Sequence, residues 1–367
     1  MSASGELATA IGAISGTSMD GVDVALIRSD ARSRVETGPG ATFPYPAEVG
    51  AALRQVVADP DRALGPLAEL ERAVTDAHVA AIEAFLEKFE IDRRGVALVG
   101  LHGQTVLHRP RERLTRQLGD GARAARALGI DVVNDFRAAD VAAGGEGAPL
   151  VPLYHAAMCA ELERPLTILN WGGVGNVTYL GARGEIIAFD TGPANALIDD
   201  FVAERLDVGY DEGGALAAAG RADEALAARF MCDPYFDRPP PKSLDRNHFH
   251  GLAGAVRALS DADGAATLAA FTVEATAAAA RHFPVQASRW LVSGGGRRNP
   301  TMMRALAERL AARVEPIEAI GYDGDVVEAQ GFAYLALRSR EGLPISLPTT
   351  TGAPRPLTGG VVWPAKR

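Results

Sequence analysis

Apolar β-branched runs alternate along this chain with alanine- and leucine-rich amphipathic stretches, the pattern of an α/β protein. The first run, 8–15, breaks at Gly16 and resumes over 22–28, which predicts two short strands about a tight turn. Helices are expected at 46–58 and 65–90. A buried strand over 96–101 then runs straight into His102-Gly103-Gln104-Thr105. Another strand, 130–134, precedes a polar loop at 135–147 and a helix around 154–162. The pattern then begins again. A strand at 166–170, a turn at 171–175 and a strand at 176–180 lead to a third strand, 184–189, which ends at Asp190. Helices follow at 194–206, 213–230 and 264–282, and a strand at 290–293 opens into Gly294-Gly295-Gly296. Asn299 as cap, with Pro300 at the first helical position, starts a helix that runs to 313. A last helix, 326–341, precedes a Pro/Gly/Thr-rich tail. A strand, glycine turn, strand unit opens each half, and this predicts two similar lobes with a cleft between them.

Composition narrows the class. With 367 residues, 47% hydrophobic and 23% charged, the chain is globular and long enough for two domains or one large one. The charge balance is 37 − 46 = −9. Such a chain has no general attraction for nucleic acid or an anionic membrane, so a phosphorylated ligand needs a local site. The two cysteines, Cys159 and Cys232, form no CxxC pair, which argues against a disulfide scaffold or a cysteine zinc site and fits a reducing compartment. The opening segment has no Lys or Arg and reads as a poor signal peptide, and no run approaches the roughly 20 apolar residues of a spanning helix. A cytoplasmic protein is expected.

The chemistry concentrates at the turns. Gly16-Thr17-Ser18-Met19-Asp20-Gly21-Val22-Asp23 combines glycines and hydroxyls that give phosphate oxygens a free approach to backbone N–H groups. Asp20 and Asp23 offer oxygens for a hydrated Mg²⁺. The segment lacks the Walker A lysine and leads into a strand, so it is neither a P-loop nor a dinucleotide fingerprint. An ordinary Asp-Gly hairpin fits it as well. Gly172, Gly173 and Asn176 in the second turn would clamp a polyphosphate from the other side; Gly294, Gly295 and Gly296 would let a flat purine lie on the backbone. Plain strand and helix packing is the alternative for both. Asp190, before Thr191-Gly192-Pro193, is placed for a general base in the cleft, and serves equally as a turn initiator or helix cap. An aspartic protease would need a second Asp-Thr-Gly, which is missing. His102 and Gln104 after one strand, with Asp135 and Arg137 after the next, gather polar groups at one sheet edge, where open α/β sheets bind ligands. Glu328 is a buried-acid candidate, or a first-turn acid favoured by the helix dipole.

With these segments in view, the chain resembles the anhydro-N-acetylmuramic acid kinases, sugar kinases of the actin/hexokinase/Hsp70-like superfamily, over essentially its whole length. The resemblance rests on 14–23, on 101–108, on Asn134-Asp135-Phe136-Arg137 and on the stretch 144–152. It continues through 170–176, 189–193, Ser293 to Gly296 with Asn299, and 347–353. One loop departs: where the family reads Pro-Pro-Lys-Ser-Thr-Gly-Arg-Glu, this chain has Pro240-Pro241-Lys242-Ser243-Leu244-Asp245-Arg246-Asn247. The resemblance implies a two-lobed actin/hexokinase-like (ribonuclease H-like) fold, with lobes 1–140 plus 326–367 and 141–325, and a homodimer. It implies ATP and Mg²⁺, with ATP on 16–23, on Gly172, Gly173 and Asn176, and on Gly294, Gly295, Gly296 and Asn299. Asp20 would reach the metal through water. Water would open 1,6-anhydro-N-acetylmuramic acid with Asp190 as base, and the released O6 would take the γ-phosphoryl group. His102, Gln104, Asp135, Arg137 and Glu328 would hold the sugar and its lactyl carboxylate. Two other readings stay open: a nucleotide-driven switch or chaperone, for which no peptide-binding or polymerising segment is evident, and a sugar-binding protein or glycosidase without nucleotide, which leaves the glycine turns unexplained.

Overall fold

The computed structural model describes residues 6–16, 19–245 and 248–365. The chain divides into two compact units, one of Met1–Glu161 with Val326–Arg367 and the other of Leu162–Asp325. The expected boundary at 140/141 falls earlier than this division. Residues after it stay with the first unit because the helix Pro152–Met158 packs on the helix Val327–Arg340, where Tyr154 Oη donates to Gln330 Oε1 at 2.7 Å.

The first unit is built on strands β1 (Ala8–Ser15), β2 (Gly21–Ser29), β3 (Val35–Pro44), β4 (Leu98–Arg109), β5 (Leu114–Leu118) and β6 (Val132–Asn134). The second carries β7 (Leu166–Trp171), β8 (Val174–Leu180), β9 (Ile186–Pro193), β10 (Arg289–Ser293) and β11 (Arg313–Pro316); β12 (Val361–Trp363) returns to the first sheet. The order β3-β2-β1-β4-β6 in one sheet is repeated as β9-β8-β7-β10-β11 in the other. Each sheet has three antiparallel strands followed by two parallel ones. The duplication expected from the glycine turns is therefore a duplication of topology.

Alternation along β1 assigns its two faces. Ile11 and Ala13 join Val24, Leu53, Ile82, Phe85, Val99 and Leu101 in one core. Gly12 points the other way, against the helix Val327–Arg340: a Cβ there would overlap the carbonyl oxygen of Ala329, and one at Gly100 of β4 that of Phe332. Two glycines on adjacent strands thus let this helix lie directly on the sheet and carry Glu328 to it. In the second unit Trp171, Phe189, Phe201, Phe271 and Trp290 anchor the core, with the helix Asp261–Ala279 against β9.

Several boundaries differ from expectation. The stretch 213–230 holds two short helices, Ala215–Ala219 and Glu224–Met231, broken where Gly220 meets the Ala262 backbone. The helix from Pro300 stops at Leu310, since Ala311 takes φ +48°, and 313–316 form β11. Asp190 does not end its strand, and β4 does not end before His102; both residues lie within strands. No helix among the described residues is long and apolar enough to cross a membrane.

Candidate active site

In the first unit the turn after β1 is braced from beneath. Gln104 on β4 is only 2% exposed. Its Oε1 accepts Ser15 Oγ at 2.5 Å, and its Nε2 donates to Gly16 O and Thr105 O, both at 3.2 Å. Gln104 thus ties β4 to the Ser15–Gly16 end of β1. Thr17 and Ser18 lie outside the described residues. Met19 takes φ +54° and donates its N–H to Gly16 O at 3.3 Å. Asp20 is exposed, with its carbonyl accepting Tyr45 N at 2.9 Å. Gly21 is pressed against the backbone of Phe43, Val22 is buried, and Asp23 accepts Thr42 Oγ1 at 2.6 Å.

His102 owes its position to an irregularity. Ala13 pairs with Leu101 and Ile14 with Gly103, so His102 has no partner on β1 and is bulged. Such bulges re-aim a side chain. Gly103 supplies the φ of +71° that follows. Arg137 Nε donates to His102 Nε2 at 3.0 Å, so that nitrogen carries no proton. The proton sits on Nδ1, which donates to Gly103 O at 2.9 Å. Burial, and then the Arg137 charge, hold the His102 pKa well below its ordinary value. The ring is a fixed neutral tautomer.

Arg137 also donates from Nη1 to Gly147 O at 3.2 Å. The Gly147 loop is latched in turn: Asp140 Oδ1 accepts Gly147 N at 2.7 Å and Asp140 Oδ2 accepts Thr351 Oγ1 at 2.6 Å. Thr351 O accepts Glu146 N at 2.6 Å. Asp135 is exposed and left-handed, at φ +56°. The Glu328 side chain reaches solvent although protein flanks it on most sides. That desolvation, with the Asp23 carboxylate added, raises its pKa, and Arg137 opposes the rise. The first unit therefore brings His102 and Arg137 into contact and places Asp23 and Glu328 within electrostatic reach.

In the second unit Gly294 and Gly296 pack on Trp171: a Cβ on Gly296 would lie 2.6 Å from that of Trp171, and one on Gly294 would lie 2.7 Å from the Trp171 carbonyl oxygen. Gly295 is exposed, and no atom approaches a Cβ at Gly172 closer than 3.8 Å. Packing explains the first pair of glycines and leaves Gly172 and Gly295 with open faces. Gly172 O and Gly173 O accept Asn195 N and Ala194 N at 2.9 and 3.0 Å, while Asn195 Nδ2 donates to Trp171 O at 2.8 Å. Asn299 caps its helix, Oδ1 accepting Met302 N at 3.0 Å. Buried Arg297 bonds Gly294 O at 3.0 Å and pairs with Glu318 and Asp325, fixing that loop.

Asp190 faces Asn176 across β8 and β9. The pairing slips there, since Gly175 opposes Gly192, and Thr191 is the extra residue. Each unit thus has a bulge at its candidate site. Tyr235 Oη donates to Asp190 O at 2.5 Å, Asp190 N to Lys242 O at 3.0 Å, and Leu244 N to Asp190 Oδ2 at 2.8 Å. The departing Leu244 therefore holds the carboxylate through its backbone, which any residue but proline supplies. Arg246 and Asn247 lie outside the described residues. Asp140, Thr351, Asn195, Tyr235 and Arg297 were absent from the expected set. Only the position of Asp140 before the run 144–147, and of Asn195 just after Asp190-Thr191-Gly192-Pro193, could have signalled two of them.

The two sheets, with their repeated order of three antiparallel and two parallel strands, define an α/β protein of the actin/hexokinase-like class. The crystal structure of component A of (R)-2-hydroxyglutaryl-CoA dehydratase from Acidaminococcus fermentans shares this fold, with a TM-score of 0.50 at 11% identity over 91% of this chain and 99% of that one. A family model described as anhydro-N-acetylmuramic acid kinase matches residues 8–365. The anhydro-N-acetylmuramic acid kinase of Rhodospirillum rubrum is 52% identical over 97% of this chain and 94% of its own length. That of Paramagnetospirillum magneticum is 52% identical over 96% and 98%. The chain belongs to the anhydro-N-acetylmuramic acid kinase family, and so to the kinases.

Proposed function

We propose that this kinase hydrolytically opens 1,6-anhydro-N-acetylmuramic acid and phosphorylates its O6, giving N-acetylmuramic acid 6-phosphate and ADP in the recycling of peptidoglycan. Water attacks C1, the C1–O6 bond breaks, and O6 takes the γ-phosphoryl group of ATP. Asp190 accepts the proton of the attacking water, the part of the base in an inverting glycosidase. No separate acid is needed when the leaving oxygen is captured by phosphorus. The observation that carries this reading is the anchoring of Asp190 on three sides, by Tyr235, Lys242 and Leu244. A base fixed before its substrate arrives costs no reorganisation in the transition state.

The open faces of Gly172 and Gly295, and the turn that Gln104 braces, are assigned to ATP. Asp20 is an exposed oxygen donor of the kind Mg²⁺ takes while keeping its waters, so the residues present fit that ion. When bound, Mg²⁺ would neutralise charge on the phosphates. Arg137 and neutral His102 are assigned to the sugar and its carboxylate. Glu328, whose pKa is raised by desolvation and by Asp23, is assigned to a sugar hydroxyl.

The test is Asp190→Asn, which keeps the size of the side chain and removes the base. Ring opening and ADP release should fall together, by roughly 10²–10⁴-fold, with ATP affinity little changed. A variant that opened the ring normally but did not phosphorylate would move Asp190 to the phosphates. One that kept most of both activities would remove it from the mechanism.

A further inference from the structure

The loop that anchors Asp190 is itself closed by one buried cation. Lys242 is 4% exposed, and its ammonium donates to Tyr235 O at 2.9 Å and Phe236 O at 3.2 Å. It lies 4.6 Å from the centre of the Tyr235 ring and 5.7 Å from that of Phe189, the residue before Asp190. The same segments lead back to Asp190, two contacts reaching its backbone and one its carboxylate. Tyr235 donates its hydroxyl to Asp190 O, the Lys242 carbonyl accepts Asp190 N, and Leu244, two residues on, donates to Asp190 Oδ2. A buried ammonium carries a large desolvation cost. Two backbone carbonyls alone could be satisfied by a neutral donor, so what distinguishes lysine here is its charge beside β9.

We propose that Lys242 is a positioning residue for Asp190: it ties the 235–236 and 242–244 segments into one clamp, and its charge favours the ionised carboxylate. The inference rests on the reading of Asp190 as the base. Other charges face the same ammonium: Arg281 and Arg238 push its pKa down, Asp237 and Asp190 push it up, and His282 shares the cluster. Burial outweighs all of these, and the Lys242 pKa is lowered to about 8. The charge is therefore present at neutral pH and is lost as pH rises through about 8.

The experiment compares Lys242→Met, Lys242→Arg and Asp190→Asn with the native enzyme in kcat and KM across pH 5–10, with near-ultraviolet circular dichroism as the check of fold. In Lys242→Met, kcat should fall roughly 10- to 100-fold with both KM values nearly unchanged, as expected for a misaligned base. The acid limb should move up, because the carboxylate loses a stabilising charge. Lys242→Arg should recover most of kcat and lack the alkaline limb near pH 8, since Arg does not titrate there. A folded Lys242→Met with native kcat and an unmoved acid limb overturns the proposal. So does a fall in kcat with the pH profile unchanged, the mark of a purely structural tie. If Lys242→Met does not fold, the Lys242→Arg profile decides: an alkaline limb that persists overturns the proposal. An active Asp190→Asn overturns the base itself, whatever the lysine variants do, so the two failures are distinguishable.

Discussion

Arg137 does two things with one planar group: Nε fixes the tautomer of His102, and Nη1 grips the Gly147 carbonyl. A lysine carries the charge but cannot present two donors in a fixed fork, so the exchange is not conservative. Arg137→Lys should raise KM for the anhydro-sugar by about tenfold or more, with KM for ATP little affected. Steady-state kinetics with each substrate varied in turn checks this, and an equal rise in both constants would contradict the assignment. The grouping of His102 with Arg137 was legible in the sequence, because each follows a hydrophobic strand core. The separate task of Gln104 was not. Its partners Ser15 and Gly16 lie 89 and 88 residues away along the chain, and only the parallel pairing of β1 with β4 brings them together.

Among the elements, the latch between the 144–147 loop and the short helix Pro348–Thr351 depends on both oxygens of one buried carboxylate, Asp140. In Asp140→Asn one of the two donors, the Gly147 N–H or the Thr351 hydroxyl, meets an NH₂ group. The loss should be about 1.5–3 kcal/mol, as for a hydrogen bond to a charged group. Faster amide exchange at Glu146 and Gly147, with a lowered thermal midpoint, is the expected result; native exchange there would show that the loop is held by other contacts. Interior strands such as β1, β4, β7 and β10 announced themselves by apolar runs buried on two sides. Among the edge strands β9 was expected, whereas β3, β11 and β12 were not. β3 contains Gly38, Pro39 and Gly40 and has no apolar run to mark it; the strand tolerates Pro39 because it forms one edge of its sheet. β11 is four residues ending in Pro316, and β12 is exposed along its length. Pairing with a single neighbour leaves little imprint on hydrophobicity, so such strands become visible only once the neighbour is placed.

Taken as a whole, the molecule concentrates its desolvated histidines in the first unit, where three are buried and His108 is half-buried; in the second, half-buried His282 is lowered as well. Burial holds His78 and His108 at about 4 and His155 at about 3, and His102 also lies well below 6.5; all four belong to the first unit. Histidines of an unfolded chain take up protons near pH 6.5, while these resist until far lower pH. The unfolded state therefore binds more protons in that window. The stability is fully present above 6.5 and is lost as pH falls from 6.5 through 4. For His78 alone the loss approaches about 3 kcal/mol by pH 4. Hydrogen exchange at pH 5 should therefore show β1 and β4 losing protection before β7 and β10. Simultaneous loss in both units would contradict the asymmetry.

The helix that lies on Gly12 and Gly100 is encoded far from the strands it covers. Residues 162–325, which fold as the other unit, stand between them in the gene. A ribosome adding roughly 5–20 residues each second needs about 8–30 s to cross that interval. Throughout it, β1 and β4 are already made while the Ala329 and Phe332 backbones that will seat on them do not yet exist. The second unit can close as soon as its own stretch emerges, so the order of folding on the ribosome runs against the order of the sequence. The nascent first unit exposes that face of its sheet during the wait, and a stop codon placed after Asp325 would leave it permanently without its helix.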